Sequence, residues 1–244
     1  MAAEGPSSIS PPRQRRHMCD NCERPIAVCL CHVIPIPPLT TTNTQLMIIH
    51  HPHESNHKLN TARLLTKSLR HVTTHLSRKL LPSHVANQSP SLTTTIYLFP
   101  SSPGSPALSL LELKESIDLQ GKNRNLLLIV FDATWKHAKE MVKASEGVLE
   151  GLGAIRVCLD VNEDLQGGSI YDDELVLRKE PYKGCVSTLE AVARCLKVVE
   201  DEGEEIERVL IGVLKEMVRL QAGFLKPVRP RPKLSKKGKQ NELQ

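Results

Sequence analysis

Four stretches of this chain hold residue types able to do chemistry. The first is a cysteine cluster, Cys19, Cys22, Cys29 and Cys31, spaced C-x2-C-x6-C-x-C. Two close thiol pairs across a short loop supply four soft thiolates, a set suited to tetrahedral zinc. Disulfides and an iron–sulfur cluster use the same residues; reduced thiols in an intracellular chain favour a structural metal. His32 follows directly, but four cysteines complete a site without it. No open coordination position is implied, so the cluster is read as structural.

The other three stretches compete for an active site: Asp132-Ala133-Thr134-Trp135, Leu177-Arg178-Lys179-Glu180-Pro181 and Ser187-Thr188-Leu189-Glu190-Ala191. Asp132 offers a carboxylate for acid–base work or a helix N-cap. Trp135, the one tryptophan, offers either a stacking ring or a core side chain. Arg178 and Lys179 suit a carboxylate or phosphate, or an ordinary charged surface. Ser187 and Glu190 have the spacing of a capping box, and the helix start they announce also favours an anion. His50, His51, His53 and His57 crowd a fifth position. Pro52 breaks their local geometry and no cysteine accompanies them, so they read as solvated or hydrogen-bonded histidines rather than a metal site.

Elements must position these groups. Leu126–Phe131 is an unbroken apolar run, read as a strand buried on both faces. It ends at Asp132, and Trp135, Ala138, Met141 and Val142 then follow a helical stripe. The acid therefore stands at the carboxyl end of a buried strand, where open α/β sheets form ligand crevices. Gln45–His50, Thr95–Phe99 and Ala154–Leu159 read as further strands, Glu174–Leu177 as a weaker one, and Leu108–Leu113 as a short helix. Helices are expected from Ser187 and over Ile206–Phe224. The acids between them, Glu200, Asp201, Glu202, Glu204 and Glu205, read as exposed surface. Residues 83–95 read as loop. Strands alternating with helices argue an α/β fold with a mostly parallel sheet.

Length and charge set bounds. With 244 residues and a net charge of +5, the chain suits one main domain with attachments. The basic character sits at the ends. From Lys226 onward, seven basic residues face one acid, and Arg13, Arg15 and Arg16 face Glu4 in residues 1–18. Such tails read as nucleic-acid contacts or as solubilising ends. The expected organisation is a disordered 1–18, a four-cysteine zinc module at 19–32, a catalytic domain at 33–225 and a basic disordered tail at 226–244. Neither a transmembrane run nor a secretory h-region is found, so a soluble protein of the cytoplasm and/or nucleus is expected. There is no glycine-rich phosphate loop, nucleophile elbow or H-E-x-x-H, so ATP chemistry, serine hydrolysis and zinc proteolysis lack their parts.

In order, the chain carries four cysteines, H-x-x-E-x5-N-T (His51, Glu54, Asn60, Thr61), D-x-T-W, L-R-K-x-P and S-T-x-E-A. Each is weak alone, but the ordered series resembles the DTW-domain family of tRNA-uridine aminocarboxypropyltransferases, in its eukaryotic two-type branch. The resemblance implies a SPOUT-like α/β domain with a knotted cofactor site, beside the small N-terminal zinc-binding module. It implies transfer of the 3-amino-3-carboxypropyl group of S-adenosylmethionine to N3 of a tRNA uridine, expected in the D-loop, with methylthioadenosine released. Within it Asp132 is the expected general base. Thr134, Trp135, Arg178, Lys179, Ser187, Thr188 and Glu190 are the expected cofactor contacts, with Arg178 on the carboxylate and Glu190 on the ammonium. Glu54, Asn60 and Thr61 are the expected substrate contacts. Trp135 reads better as core than as a stacking ring. The expected partner is tRNA, with no DNA and no membrane; the sequence leaves the oligomeric state open. The competing readings are a SPOUT-like RNA methyltransferase and a non-catalytic zinc-containing RNA-binding protein.

Overall fold

The computed structural model describes residues 17–55, 57, 59–86, 93–102, 104–118, 125–159 and 186–224. In chain order its elements are β1 (Thr44–His50), α1 (Ala62–Ser68), β2 (Val72–Leu76), β3 (Thr93–Leu98), β4 (Leu108–Ser109), α2 (Leu110–Asp118), β5 (Asn125–Asp132), α3 (Trp135–Lys143), α4 (Glu146–Gly151), β6 (Ile155–Cys158), α5 (Thr188–Val199) and α6 (Gly203–Ala222). The strands form one six-stranded sheet in the order β2-β1-β5-β3-β6-β4. Every pairing between them is parallel. All strand carboxyl ends therefore lie along one edge, and β5 sits inside the sheet with β1 on one side and β3 on the other.

Alternation along the inner strands explains the layering. Leu46 and Ile48 of β1 and Leu126, Leu128 and Val130 of β5 join one apolar cluster with α1, α2, α5 and α6. Met47, Ile49, Leu127, Ile129 and Phe131 join the other, against Met141, Val142 and Leu149 of α3 and α4. Successive strand side chains point to opposite faces, so a strand covered on both sides must be apolar throughout. Each such buried side chain contributes on the order of 1.5–3 kcal/mol relative to exposure. The even positions face α5 and the odd positions face α3. That parity also assigns His50 and Asp132 to the α5 side.

The strands expected at 45–50, 95–99, 126–131 and 154–159 are all present, within two residues at each end. The strand expected at Glu174–Leu177 lies outside the described residues. β3 starts at Thr93, inside the stretch expected to be loop. Leu108–Ser109 is a short strand, with the helix starting at Leu110. β2 carries no apolar run because it is an edge strand, half-buried at best. Glu200 is not surface: it is 7% exposed, and its carboxylate accepts from the backbone N–H groups of Thr42 (2.8 Å) and Asn43 (3.2 Å). It thus ties the end of α5 to the turn that launches β1.

The cysteine segment packs onto the same core. Cys22, Leu30 and Ile34 belong to the cluster shared with α5 and α6. His32 Nε2 lies 2.9 Å from Glu216 Oε1 of α6, and Lys67 Nζ of α1 lies 3.0 Å from Glu23. No helix among the described residues is long and apolar enough to cross a membrane.

Candidate active site

Asp132 is the last residue of β5 and pairs in register with His50, the last residue of β1. Both side chains are buried, at 8% and 7% exposure. His50 Nδ1 lies 2.6 Å from Asp132 Oδ2. The other carboxylate oxygen, Oδ1, accepts from the Thr188 hydroxyl at 2.5 Å. The backbone is held too, since His51 N–H donates to the Asp132 carbonyl at 3.0 Å. A carboxylate taken from water needs donors to remain charged, and here each oxygen has one.

Asp132 does not cap α3. Thr134 occupies the N-cap position and makes no side-chain cap bond there; its Oγ1 lies 3.2 Å from His137 Nδ1. The carboxylate turns away because strand parity aims it at α5, where Thr188 meets it. Trp135 opens α3, half-buried, with its ring tilted against Phe99 at 6.2 Å between centroids.

The start of α5 has the Ser187 half of the expected capping box, while the Glu190 side chain turns to Arg194. Ser187 Oγ accepts from Glu190 N–H at 3.2 Å. The helix start, with its unpaired amide dipoles, therefore abuts Asp132 at the sheet edge. Glu190 sits inside this helix start. It has no exposed surface, and Arg194 Nη2 donates to its carboxylate at 2.6 Å. Its carboxylate is thus paired within the helix layer, in the first turn of α5.

Asn60 and Thr61 are buried as well, at 8% and 6% exposure. Thr61 is the N-cap of α1. Asn60 reaches His50 Nε2 at 3.2 Å and the Glu54 carbonyl at 3.1 Å. Glu54 ends a 3-10 turn, Pro52–Glu54, that carries the chain off β1. The fold thus gathers Asp132, Ser187, Thr188, Asn60 and the opening of α3 at the ends of β1 and β5. Arg178 and Lys179 lie outside the described residues.

His50 is the site residue that the sequence did not single out as functional. Its one signal is that both inner strands end their apolar runs on a polar residue. His51, His53 and His137 also cluster, with ligand atoms within 4.8 Å of one another. Yet the His51 and His137 rings stack at 4.3 Å with 9° between their planes. An imidazole lone pair lies in its ring plane, so these two run side by side instead of converging on an ion. Burial first, then the neighbouring His137 and His53, hold His51 below the ordinary histidine range. His53 meets the His51 and His137 rings edge-on, at 78° and 70°.

The cysteines do converge. All four ligand atoms lie within 4.8 Å of one another, with Cys19–Cys31 at 3.4 Å and Cys22–Cys29 at 3.6 Å. A tetrahedron with metal–sulfur bonds of about 2.3 Å has edges of about 3.8 Å, so the donor set fits a metal with small adjustment. Backbone N–H groups of Cys22 and Asn21 lower the Cys19 thiol to about 6. Sharing protons with Cys19 and Cys29 pushes Cys31 up to about 12. The cluster thus already has one thiol favoured as thiolate, the form that binds metal.

Comparison with known proteins places the chain in a family. The DTW domain model matches residues 16–222. The chain is 60% identical over 237 residues to tRNA-uridine aminocarboxypropyltransferase A of Arabidopsis thaliana, covering 93% of this chain and 89% of the relative. It is 30% identical over 222 residues to tRNA-uridine aminocarboxypropyltransferase 2 of Drosophila melanogaster, covering 88% and 78%. No solved structure matches the chain at a significant level. The match runs from the cysteine cluster through α6 and takes in every described group of the site, and on that ground the chain belongs to the DTW-domain family.

Proposed function

We propose that this protein transfers the 3-amino-3-carboxypropyl group of S-adenosylmethionine to N3 of a tRNA uridine. The observation that carries the reading is the Asp132 carboxylate, held by His50 and Thr188 at the carboxyl edge of the sheet. It stands in a chain 60% identical to a relative named for this transfer. When bound, S-adenosylmethionine supplies an electrophilic methylene carbon beside a sulfonium and leaves as methylthioadenosine.

The chain's own residues then have defined work. Uridine N3–H is a weakly acidic imide and must lose its proton to attack. Asp132 accepts that proton on a lone pair not used by His50 or Thr188. Three carbons flank a sulfonium, and orientation decides which is attacked. The start of α5 supports an anion such as the amino-acid carboxylate, and Arg178 with Lys179 is the proposed clamp on that end. Thr134 and Trp135, both half-buried, open α3 two and three residues past Asp132 and are further proposed cofactor contacts. The SPOUT-like knotted cofactor region and a D-loop uridine target belong to the same proposal.

Zinc is the proposed ion of the cysteine cluster, where Cys19, Cys22, Cys29 and Cys31 close the coordination sphere and leave no catalytic position. Residence in the cytoplasm or nucleus goes with it, since thiolate ligands persist in a reducing compartment.

Incubation with uridine-containing tRNA and S-adenosylmethionine, followed by mass spectrometry of nucleosides and small products, tests the reading. The expected products are 3-(3-amino-3-carboxypropyl)uridine and methylthioadenosine. A methylated nucleoside with S-adenosylhomocysteine would make the protein a methyltransferase. tRNA binding with no cofactor turnover would make it a binding protein.

A further inference from the structure

We propose that Asn60 and His50 form a tautomer lock that positions the Asp132 carboxylate, so that both are positioning residues and neither touches the substrate. The proposal rests on the reading of Asp132 as the base.

The orientation of the Asn60 amide follows from backbone groups that have only one role each. Arg63 N–H can only donate, and it donates to Asn60 Oδ1 at 3.3 Å. The Glu54 carbonyl can only accept, and Asn60 Nδ2 reaches it at 3.1 Å. Both contacts select the same amide orientation. The second hydrogen of Nδ2 is then the one facing His50 Nε2 at 3.2 Å. An N–H pointed at Nε2 requires a lone pair there, so the His50 proton is on Nδ1. That nitrogen lies 2.6 Å from Asp132 Oδ2. The chain of assignments starts at main-chain atoms of the turn after β1 and ends at the carboxylate, with no free choice in between.

Two consequences bear on the reaction. First, the ring is neutral. A neutral donor fixes the carboxylate's rotation while taking up less of its charge than an imidazolium would. A base with a full imidazolium partner accepts a substrate proton less readily. Second, His50 has no vacant nitrogen. A proton relayed through the ring would need Nε2, which Asn60 occupies. His50 therefore holds Asp132 and does not pass its proton onward. The Thr188 hydroxyl fixes the other oxygen from α5, so the carboxylate is gripped from two layers of the fold. Asn60, expected from the motif to contact substrate, is 8% exposed and has all its amide groups engaged inside the protein.

The lock is tested first on the wild-type, metal-loaded full chain, by nitrogen-15 NMR of the histidine rings at neutral pH. The expected signature for His50 is the neutral Nδ1-protonated tautomer. A neutral Nε2-protonated ring or a doubly protonated ring would overturn the proposal. The near-isosteric Asn60→Asp puts an acceptor against Nε2, so His50 is expected to become doubly protonated, with kcat down about 10–100-fold. KM values for tRNA and S-adenosylmethionine are expected to hold within about threefold, in keeping with the absence of substrate contact. A KM rise with unchanged kcat would make Asn60 a substrate ligand and overturn its role here.

His50→Asn retains a donor at the Nδ1 position, and transfer within about tenfold of wild type is expected; His50→Ala removes the donor and should lose about 10–100-fold. Loss in His50→Asn as deep as in His50→Ala would mean that the ring itself moves the proton, which overturns the positioning role. Asp132→Asn, run alongside, separates the two levels. Wild-type transfer by Asp132→Asn would remove the base assignment. Inactive Asp132→Asn beside wild-type His50→Ala would remove only the lock.

Discussion

The proposed role of Asp132 asks for two things that usually conflict: burial, and lone pairs open to a substrate proton. Each carboxylate oxygen has one donor, His50 on Oδ2 and Thr188 on Oδ1, and a carboxylate oxygen has further acceptor capacity beyond one. At the residue scale the sharpest expectation concerns this group. Asp132→Ala should lower transfer by about 10²–10⁴-fold, the usual weight of a general base, while S-adenosylmethionine binding measured by calorimetry stays near wild type. Wild-type turnover by that variant would remove Asp132 from the chemistry. Thr188→Val should cost roughly 1 kcal/mol of stability, seen as a lower Tm, because it strips one donor from a buried carboxylate. An unchanged Tm would show that the hydroxyl contact contributes nothing.

At the scale of elements, the site depends on how α5 and α6 are held. Gly203 opens α6 against the end of α5. A Cβ there would fall 2.3 Å from the Lys197 carbonyl oxygen and 2.6 Å from that of Leu196, both backbone atoms. Gly203→Ala should therefore destabilise by about 1–3 kcal/mol, the range for forced overpacking; a thermal melt indistinguishable from wild type would contradict this. The cysteine segment touches α6 through His32 and Glu216. Arg219 first, with His32 also contributing, lowers the Glu216 carboxyl to about 2. A depressed carboxyl contributes stability above its ordinary value of 4.5 and loses it as pH falls toward 2. Acid should thus loosen this seam within that window, and Glu216→Gln should flatten the pH dependence of stability there. Removal of the proposed cysteine-bound metal would act on the same seam. A strong chelator should release one metal ion per chain and raise hydrogen exchange in residues 19–34 and along α6. Exchange unchanged after chelation would mean that the cluster carries no structural weight.

At the scale of the molecule, the charges and the fold divide the work. The parallel sheet sets every strand's carboxyl end, and with it the site, along one edge. Positive charge is concentrated at the chain ends, with seven basic residues against one acid from Lys226 onward. Polyanion binding through such a tail releases counterions and weakens with salt. Deleting 226–244 should weaken tRNA affinity and flatten the plot of log affinity against log salt, by roughly 0.7–0.9 for each phosphate that the tail had neutralised. A slope that stays put would mark the tail as a solubilising end.

Much of the fold was legible because periodicity is local. The run Leu126–Phe131 demanded a strand buried on both faces, and β5 is one. Half of the capping box at Ser187 formed: its hydroxyl caps Glu190 N–H, but the Glu190 carboxylate is taken by Arg194. The four cysteines converge as two close pairs should. What escaped had no local signature. β2 is an edge strand, so its polar residues VTTHL needed no apolar run. Glu200 sits in a row of acids and looked exposed, yet two backbone N–H groups from the turn before β1 claim its carboxylate. His50 and Asp132 stand 82 residues apart, and nothing near either one names the other. Residue order alone required that an apolar strand end on Asp132 and that a capped helix begin at Thr188. It took the packed fold to set β1 beside β5 in register and to turn the even face toward α5. Strand order is set by long crossovers and shared burial, which no single window of sequence contains. That order turned an acid at a strand's end into a carboxylate held between a histidine and a threonine.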